Sequence, residues 1–347
     1  MIIGEQIYSN KTNATYTVFQ TLKSGGQAEV AYVTSNKVKN VLFIKRLLNI
    51  RYSEVGALAE KCKNFEYSRQ RVYQDINKGT LPGGACSYIY DFFRENTFYY
   101  VVTEKIDAIE FDIKQLSNAM PIEDKLFLFR IIVYSFLPLE KADIIHADVK
   151  PENILLKNTG KQYVAKLIDL ESAFHIDTPP EKGCIVGTEP YYSPELAEYN
   201  AENNAVGASI LTTKSDIFSL GIILHEFLTG EYPVPKEYGK YAFELIKDGG
   251  CVKMHAEWSL PLCSLIKSML SLNPMYRPNV MDLLEGLKEI TDMSTPPDYI
   301  TNPSIIMRRE TSKIAYVDFL SLNKNVDILY NIDNMGWGEY ETPFTLK

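Results

Sequence analysis

At 347 residues, with 46% hydrophobic and 23% charged side chains, the chain can bury a large core, in two packed lobes or in one large domain with an extension, and its composition argues against long disorder. A formal net charge of -8 gives no general electrostatic reason to bind nucleic acid or an anionic membrane. The five cysteines, Cys62, Cys86, Cys184, Cys251 and Cys263, contain no CxxC pair, which points to free thiols in a reducing compartment rather than to zinc or a disulfide framework.

In chain order, MIIGEQIYSNK turns polar too soon for a signal-peptide core. Next, YTVFQTL, AEVAYVTS and NVLFIKRL alternate as strands, with SGG and SNKVKN as turns, and predict an antiparallel meander. The polar segment from Tyr52 to Asn77 places Phe65, Val72 and Ile76 on one helical face. CSYIYDFF and TFYYVVTE read as two further strands. After Glu104 the pattern becomes helical, in DKLFLFRIIVYSFLPLEKA, SDIFSLGIILHEFLTG, PLCSLIKSML and MDLLEGLKEI. The longest apolar run, LFLFRIIVYSFLPL at 126–139, is interrupted by Arg130 and falls short of the ~20 residues needed to span a bilayer. A soluble, cytoplasmic protein is expected. STPPDY then breaks the helical pattern, and the apolar IAYVDFLSL and VDILYNI follow it. The expected architecture is α+β, a small β-rich lobe over 1–105 and a larger helical lobe over 106–290. Residues 291–347 form an extension of unreadable role, and the oligomeric state is equally unreadable.

IIHADVKPENILL at 144–156 sets a run of polar residues between two apolar anchors, which reads as a loop held out for chemistry. HADVKPEN resembles the catalytic loop of protein kinases, HRDxKxxN, and the chain is identified as a member of that family by further matches in the expected order. The resemblance implies a bilobal kinase fold with ATP and Mg²⁺ between the lobes. It makes Asp148 the catalytic base, Lys150 the cation for the moving phosphate and Asn153 a Mg²⁺ ligand, with His146 bracing the loop.

KLIDLESAF supplies Asp169 as the second metal ligand, but the element reads DLE where the family has DFG. Leu170 can fill the apolar slot, and Glu171 reads either as an added carboxylate near the metals or as a solvated turn residue. LKSGGQAEV resembles the glycine-rich loop over ATP: Gly25 and Val30 match, Gly26 adds room, and Lys23 and Ala28 replace two glycines. LFIK makes Lys45 the partner of the α and β phosphates, with Phe43 where the family has alanine above the adenine. Glu66, in preference to Glu60, is expected to hold Lys45. In YYVVTEKIDAIE, Thr103 stands as gatekeeper, Glu104 to Ile106 offer backbone groups to adenine, and Glu110 is a candidate ribose or substrate contact.

GTEPYYSPE at 187–195 resembles the substrate shelf of the family, with Thr188 against Asp148 and Lys150 and with Glu195 paired to Arg277. That shelf implies a protein substrate, and KPEN implies Ser/Thr rather than Tyr acceptors. The resulting expectation is an ATP-dependent Ser/Thr protein kinase. A pseudokinase scaffold is the alternative, motivated by Phe43, Ala28, Lys23 and Glu171, and a kinase-fold enzyme acting on a small molecule is a third. Ala147 replaces the arginine that would receive a phosphate, for instance on Thr178, so activity is expected without activation-segment phosphorylation. RRETS at 308–312 marks Thr311 and Ser312 as candidate autophosphorylation sites.

Overall fold

The computed structural model describes residues 1–292 except 24–27, 82, 159–162 and 202–205, together with short strands between 305 and 346. Gly25 and Gly26, and likewise Thr311 and Ser312, lie outside the described residues. The chain divides into two units, Met1–Asp292 and Met293–Lys347.

The first unit begins with strands β1 (Gln6–Ser9), β2 (Ala14–Thr21), β3 (Ala28–Ser35) and β4 (Leu42–Leu47), then helix α1 (Gly56–Gly79), then β5 (Ile89–Glu95) and β6 (Phe98–Glu104). The six strands form one antiparallel sheet in the order β1-β2-β3-β4-β6-β5. Period-two alternation sends Tyr16, Val18, Ala31, Val33, Leu42 and Ile44 to one face, where they form a small core with Phe93, Tyr100 and Val102. The opposite face of β3 and β4 is thereby left with Val30, Tyr32, Phe43 and Lys45, in the register Val30↔Lys45 and Tyr32↔Phe43. Helix α1 turns Cys62, Arg69, Val72, Tyr73 and Ile76 inward. An arginine on that apolar stripe is unusual, and its partners are described below.

The remainder of the unit runs β7 (Ile109–Glu110), α2 (Ile113–Ala119), α3 (Ile122–Tyr134), α4 (Leu137–Lys141), β8 (Ile144–Ile145), β9 (Ile154–Asn158), β10 (Tyr163–Leu167), β11 (Phe174–His175), α5 (Pro194–Asn200), α6 (Lys214–Thr229), α7 (Ala242–Lys247), α8 (Leu260–Met269) and α9 (Val280–Asp292). The β-rich lobe followed by a helical lobe is the bilobal α+β fold expected. The helix predicted over 124–142 is two helices: Pro138 has no N–H to continue α3 and instead occupies the first turn of α4. Helix α6 buries residues on every side, including Phe218, Leu220, Ile222, Ile223 and Leu224, as a central core helix does. A Cβ on its Gly221 would lie 2.9 Å from the Leu270 side chain, so glycine permits the close approach of α6 to the end of α8. None of the helices of the described residues is long and apolar enough to cross a membrane.

Two short sheets, β10-β9-β7 and the pair β8·β11, lie in this lobe and frame the loops between them. The second unit holds an antiparallel sheet of Ile305–Met307, Ala315–Phe319 and Phe344–Leu346, and a pair formed by Leu329–Asn331 and Trp337–Glu339.

The expected Glu195–Arg277 pair is present and inaccessible to solvent at the arginine. Two guanidinium nitrogens donate to the two carboxylate oxygens at 2.6 and 2.8 Å, and the rest of the fork donates to the carbonyls of Ser271, Lys214 and Leu272. Removing one member of such a pair strands a buried charge. Arg277→Ala should therefore destabilise the fold by about 3–5 kcal/mol, read as a lower urea midpoint with an unchanged slope.

Candidate active site

The turn after β8 is suspended from the buried carboxylate of Asp216, which accepts the backbone N–H groups of His146 at 2.8 Å and Ala147 at 3.2 Å. Ala147 is held there at φ 65°, a left-handed conformation costing a non-glycine residue about 1–2 kcal/mol. The turn brings Asp148 back toward the following helical turn. There Asn153 donates to its backbone carbonyl at 2.8 Å and to its carboxylate at 2.9 Å. Lys150 lies 3.0 Å from the Asp148 carboxylate. Thr188 closes the group: its hydroxyl donates to Asp148 at 2.7 Å and accepts from Lys150 at 2.9 Å. Gly187 makes this approach possible, because a Cβ there would lie 2.5 Å from the Ala147 carbonyl oxygen. His146 braces the loop as its sequence position implies, with Nε2 3.1 Å from the carbonyl of Ile168.

Across the cleft, Lys45 of β4 donates to Asp169 at 2.7 Å and to Glu171 at 3.1 Å. Asp169 also sits in the left-handed region, at φ 61°. Burial opposes the charge on Asp169, but the hydrogen bond with Glu171 and the Lys45 ammonium outweigh it and hold the carboxyl well below the usual range. Glu171 moves the other way, raised by burial and by the neighbouring Asp169 charge in spite of Lys45. Burial also works against the Lys45 ammonium, yet the two carboxylates raise it above the ordinary lysine value.

The cleft between the lobes measures about 160 Å³ and is mostly apolar, with Phe43 and Tyr32 from the sheet and Leu155 and Ile168 from the other lobe. Thr103, Glu104 and Ile106 are among the residues that line it. The Glu104 side chain is occupied structurally: it accepts from Lys166 at 2.5 Å and from the N–H groups of Tyr88 and Gly83, each at 2.9 Å. Val30 lies on β3 opposite Lys45, outside the cleft lining, and Glu110 is exposed on β7 away from it.

Glu66 does not meet Lys45. It lies on α1 with its carboxylate accepting from the Tyr99 hydroxyl at 2.9 Å and 3.9 Å from Arg94. The reason lies in the helix stripe, which turns Arg69, Val72 and Tyr73 inward and leaves Glu66 toward β5 and β6. Arg69 takes the inward position and donates to the carbonyls of Leu170 at 3.3 Å, Glu171 at 2.7 Å and Ala173. Sequence reasoning missed this clamp, although a single arginine within an apolar stripe was the available signal.

The donor set suits a magnesium nucleotide. Asp169 and Asn153 offer hard oxygen ligands, and Mg²⁺ bound with phosphates needs only one or two from the protein. No cluster of three or more His, Cys, Asp or Glu forms a metal cage among the described residues. Lys45 supplies a cation for phosphate, and the apolar walls suit a planar base.

Burial raises the Asp216 carboxyl to about 6 against the partial compensation of His146 and the two backbone N–H groups. Since the folded value lies above the unfolded one, its favourable contribution is complete below the unfolded pKa near 3.8 and is lost as pH rises to about 6. The stability of wild type relative to Asp216→Asn should fall by roughly 3 kcal/mol over that window and then level off, as measured by urea unfolding at a series of pH values.

A protein kinase domain model matches residues 80–286. The chain is 28% identical over 272 residues to serine/threonine-protein kinase chk-2 of Caenorhabditis elegans, covering 73% of this chain and 55% of that protein. It is 31% identical over 214 residues to serine/threonine-protein kinase Nek3 of Mus musculus, covering 60% and 40%. To the ovarian-specific serine/threonine-protein kinase Lok of Drosophila melanogaster it is 29% identical over 192 residues, covering 54% and 39%. The chain thus spans about half the length, or less, of these curated relatives. With a protein kinase domain model matched over most of the first unit and more than half of the chain, the chain belongs to the protein kinase family.

Proposed function

We propose that the chain is a Ser/Thr protein kinase that transfers the γ-phosphate of ATP to protein hydroxyls. The observation that carries this reading is the closed group of Asp148, Lys150 and Thr188, joined at 2.7–3.0 Å, in a chain whose cleft is lined by Lys45 and Asp169. Bound Mg-ATP would supply the phosphoryl group and the metal that neutralises its charge. Asp148 accepts or orients the proton of the acceptor hydroxyl, and Lys150, tethered through Thr188, places a cation beside it. Asn153 and Asp169 would hold Mg²⁺, and Lys45 would pair with the α and β phosphates. Phe43 and Leu155 enclose the base, while the backbone of Glu104 and Ile106 offers it hydrogen bonds. From the sequence resemblance we assign Gly25 and Gly26 to phosphate contact, with Val30 following them on β3, and Glu110 to contact with the ribose or the acceptor chain.

Functionally we divide the chain into an N-lobe at 1–105, a C-lobe at 106–290 and an extension at 291–347. The Ser/Thr preference rests on the KPEN sequence and the Ser/Thr kinase relatives. A cytoplasmic setting is supported by five cysteines that all remain free thiols. The reading includes no nucleic-acid or membrane partner.

The Phe43 ring in the cleft favours a second reading, a pseudokinase scaffold whose nucleotide site is filled by its own side chain. The two readings separate on binding and transfer. On the kinase reading, Mg-ATP at about 100 times its Kd stabilises the fold by about 2.7 kcal/mol, seen as a higher Tm. Asp148→Asn keeps this shift and loses transfer to a protein substrate, whereas Asp169→Asn weakens both. A wild-type protein with no ATP-dependent shift and no transfer would select the scaffold.

Activation-segment phosphorylation is not required on this reading. Ala147 is buried with Ile145, Phe174, Ile185 and Tyr192, so an apolar cluster fills the place of a phosphate-binding arginine. Nearby, Arg71 of α1 grips Asp177 with two hydrogen bonds of 2.7 and 2.8 Å, which hold that carboxyl down to about 2. An arginine–carboxylate bridge of this form ties the segment to α1 much as an arginine–phosphate bridge would. Phosphatase-treated protein should turn over at the untreated rate, and loss of activity restored by rephosphorylation within the segment would refute the point.

A further inference from the structure

Helix α1 contains three acidic residues, and none of them serves Lys45. Glu60 is exposed, Glu66 accepts from Tyr99, and Asp75 accepts from Lys78 at 2.6 Å and lies 3.2 Å from His175. Among the described residues the carboxylates that reach the Lys45 ammonium are Asp169 and Glu171. We propose that Glu171 is the positioning residue for Lys45, doing from the DLE element what a helix carboxylate would otherwise do, and that Arg69 of α1 fixes the backbone from which it reaches. The pair itself stands on geometry, while its consequence for nucleotide binding rests on the kinase reading above.

Asp169 and Glu171 differ in what else is asked of them. Asp169 is the more exposed, its side chain 41% accessible against 19% for Glu171, and on the kinase reading it turns to the metal. A carboxylate committed to a metal is a poor permanent partner for an ammonium; Glu171, set deeper beside Lys45 and hydrogen-bonded to Asp169, is not assigned to the metal. Its backbone is held by Arg69, which binds the carbonyls of Leu170, Glu171 and Ala173, and the neighbouring Leu170 side chain is buried. Glu171 is absent from the residues with left-handed backbone, so a side chain is accommodated there without the freedom of glycine.

Helix α1 therefore contributes a cation where a carboxylate was expected, and the carboxylate comes from the element that the cation binds. Lys45 is oriented by a residue two positions from Asp169, so its placement follows the DLE backbone rather than a side chain of α1. Replacing Glu171 with glycine, the residue usual in the family, should impair the protein rather than improve it.

Two measurements test the assignment. In nucleotide-free protein, Glu171→Gln should lower the melting temperature in the wild-type background and leave it unmoved in a Lys45→Met background, since the lost partner is the same contact; Glu66→Gln should shift both backgrounds equally. In steady-state assays with a generic protein substrate, Glu171→Gln and Glu171→Gly should raise the KM for Mg-ATP about tenfold, the loss expected for one charge-assisted contact, with a smaller change in kcat and none in the KM for the acceptor. Glu171→Asp should recover part of the effect and Glu66→Gln should have none. Equal melting shifts for Glu171→Gln in the two backgrounds would overturn the pairing even if ATP bound normally. Coupled shifts in a protein that binds no ATP would leave the pairing intact and remove the kinase reading instead.

Discussion

The buried carboxylate of Asp216 is the fixed point from which the catalytic loop hangs. Two adjacent backbone N–H groups, those of His146 and Ala147, would be costly to leave unpaired in the interior, and α6 delivers both acceptor oxygens from a helix packed on all sides. With both donors satisfied, the chain can reverse at Ala147 in a left-handed conformation that it would not adopt alone. The reversal aims Asp148 at Asn153 and Thr188. Every later contact in the site assumes that direction.

The activation segment is held against this loop by two kinds of force. Below it, the fully buried Arg277 and Glu195 fix the end of the segment to the core, with the Ser215 hydroxyl adding a third bond to Glu195 at 2.7 Å. Near the loop, close packing takes over: Gly187 lies against the Ala147 carbonyl, and Ile185 and Tyr192 join Ala147 and Phe174 in an apolar cluster. Dispersion and burial hold the loop and segment together where a phosphate would require charge pairing.

In the small lobe the electrostatic wiring is displaced rather than absent. Lys45 still has carboxylates, but both come from the DLE element, and α1 reaches the same element through Arg69. The helix thus contributes a cation to this element, and the carboxylate at residue 171 is the one that reaches back to Lys45. Arg71, farther along α1, repeats the pattern with Asp177. The helix therefore docks through basic side chains at two points, one buried and one exposed.

Much of this was legible in the sequence. HADVKPEN, KLIDLESAF and GTEPYYSPE named the loop, the second cleft aspartate and the shelf through their resemblance to the family, because each motif is contained in a short stretch of chain. Strand alternation likewise put Phe43 and Lys45 on one face. The partner of Lys45 was not legible. Glu66 and Glu171 are both acidic residues at acceptable separations, and only the packed structure distinguishes them: the inward face of α1 is decided by which residues the sheet can cover, and the direction of Glu171 by three carbonyls gathered on one guanidinium. The break at Pro138 could be read locally, from a missing N–H. The contact of Gly187 with Ala147 could not, since it joins segments that meet only when the segment folds back over the loop. Local chemistry is written in neighbouring residues, whereas the pairing of charges across a cleft depends on the burial and direction that packing imposes on each side chain.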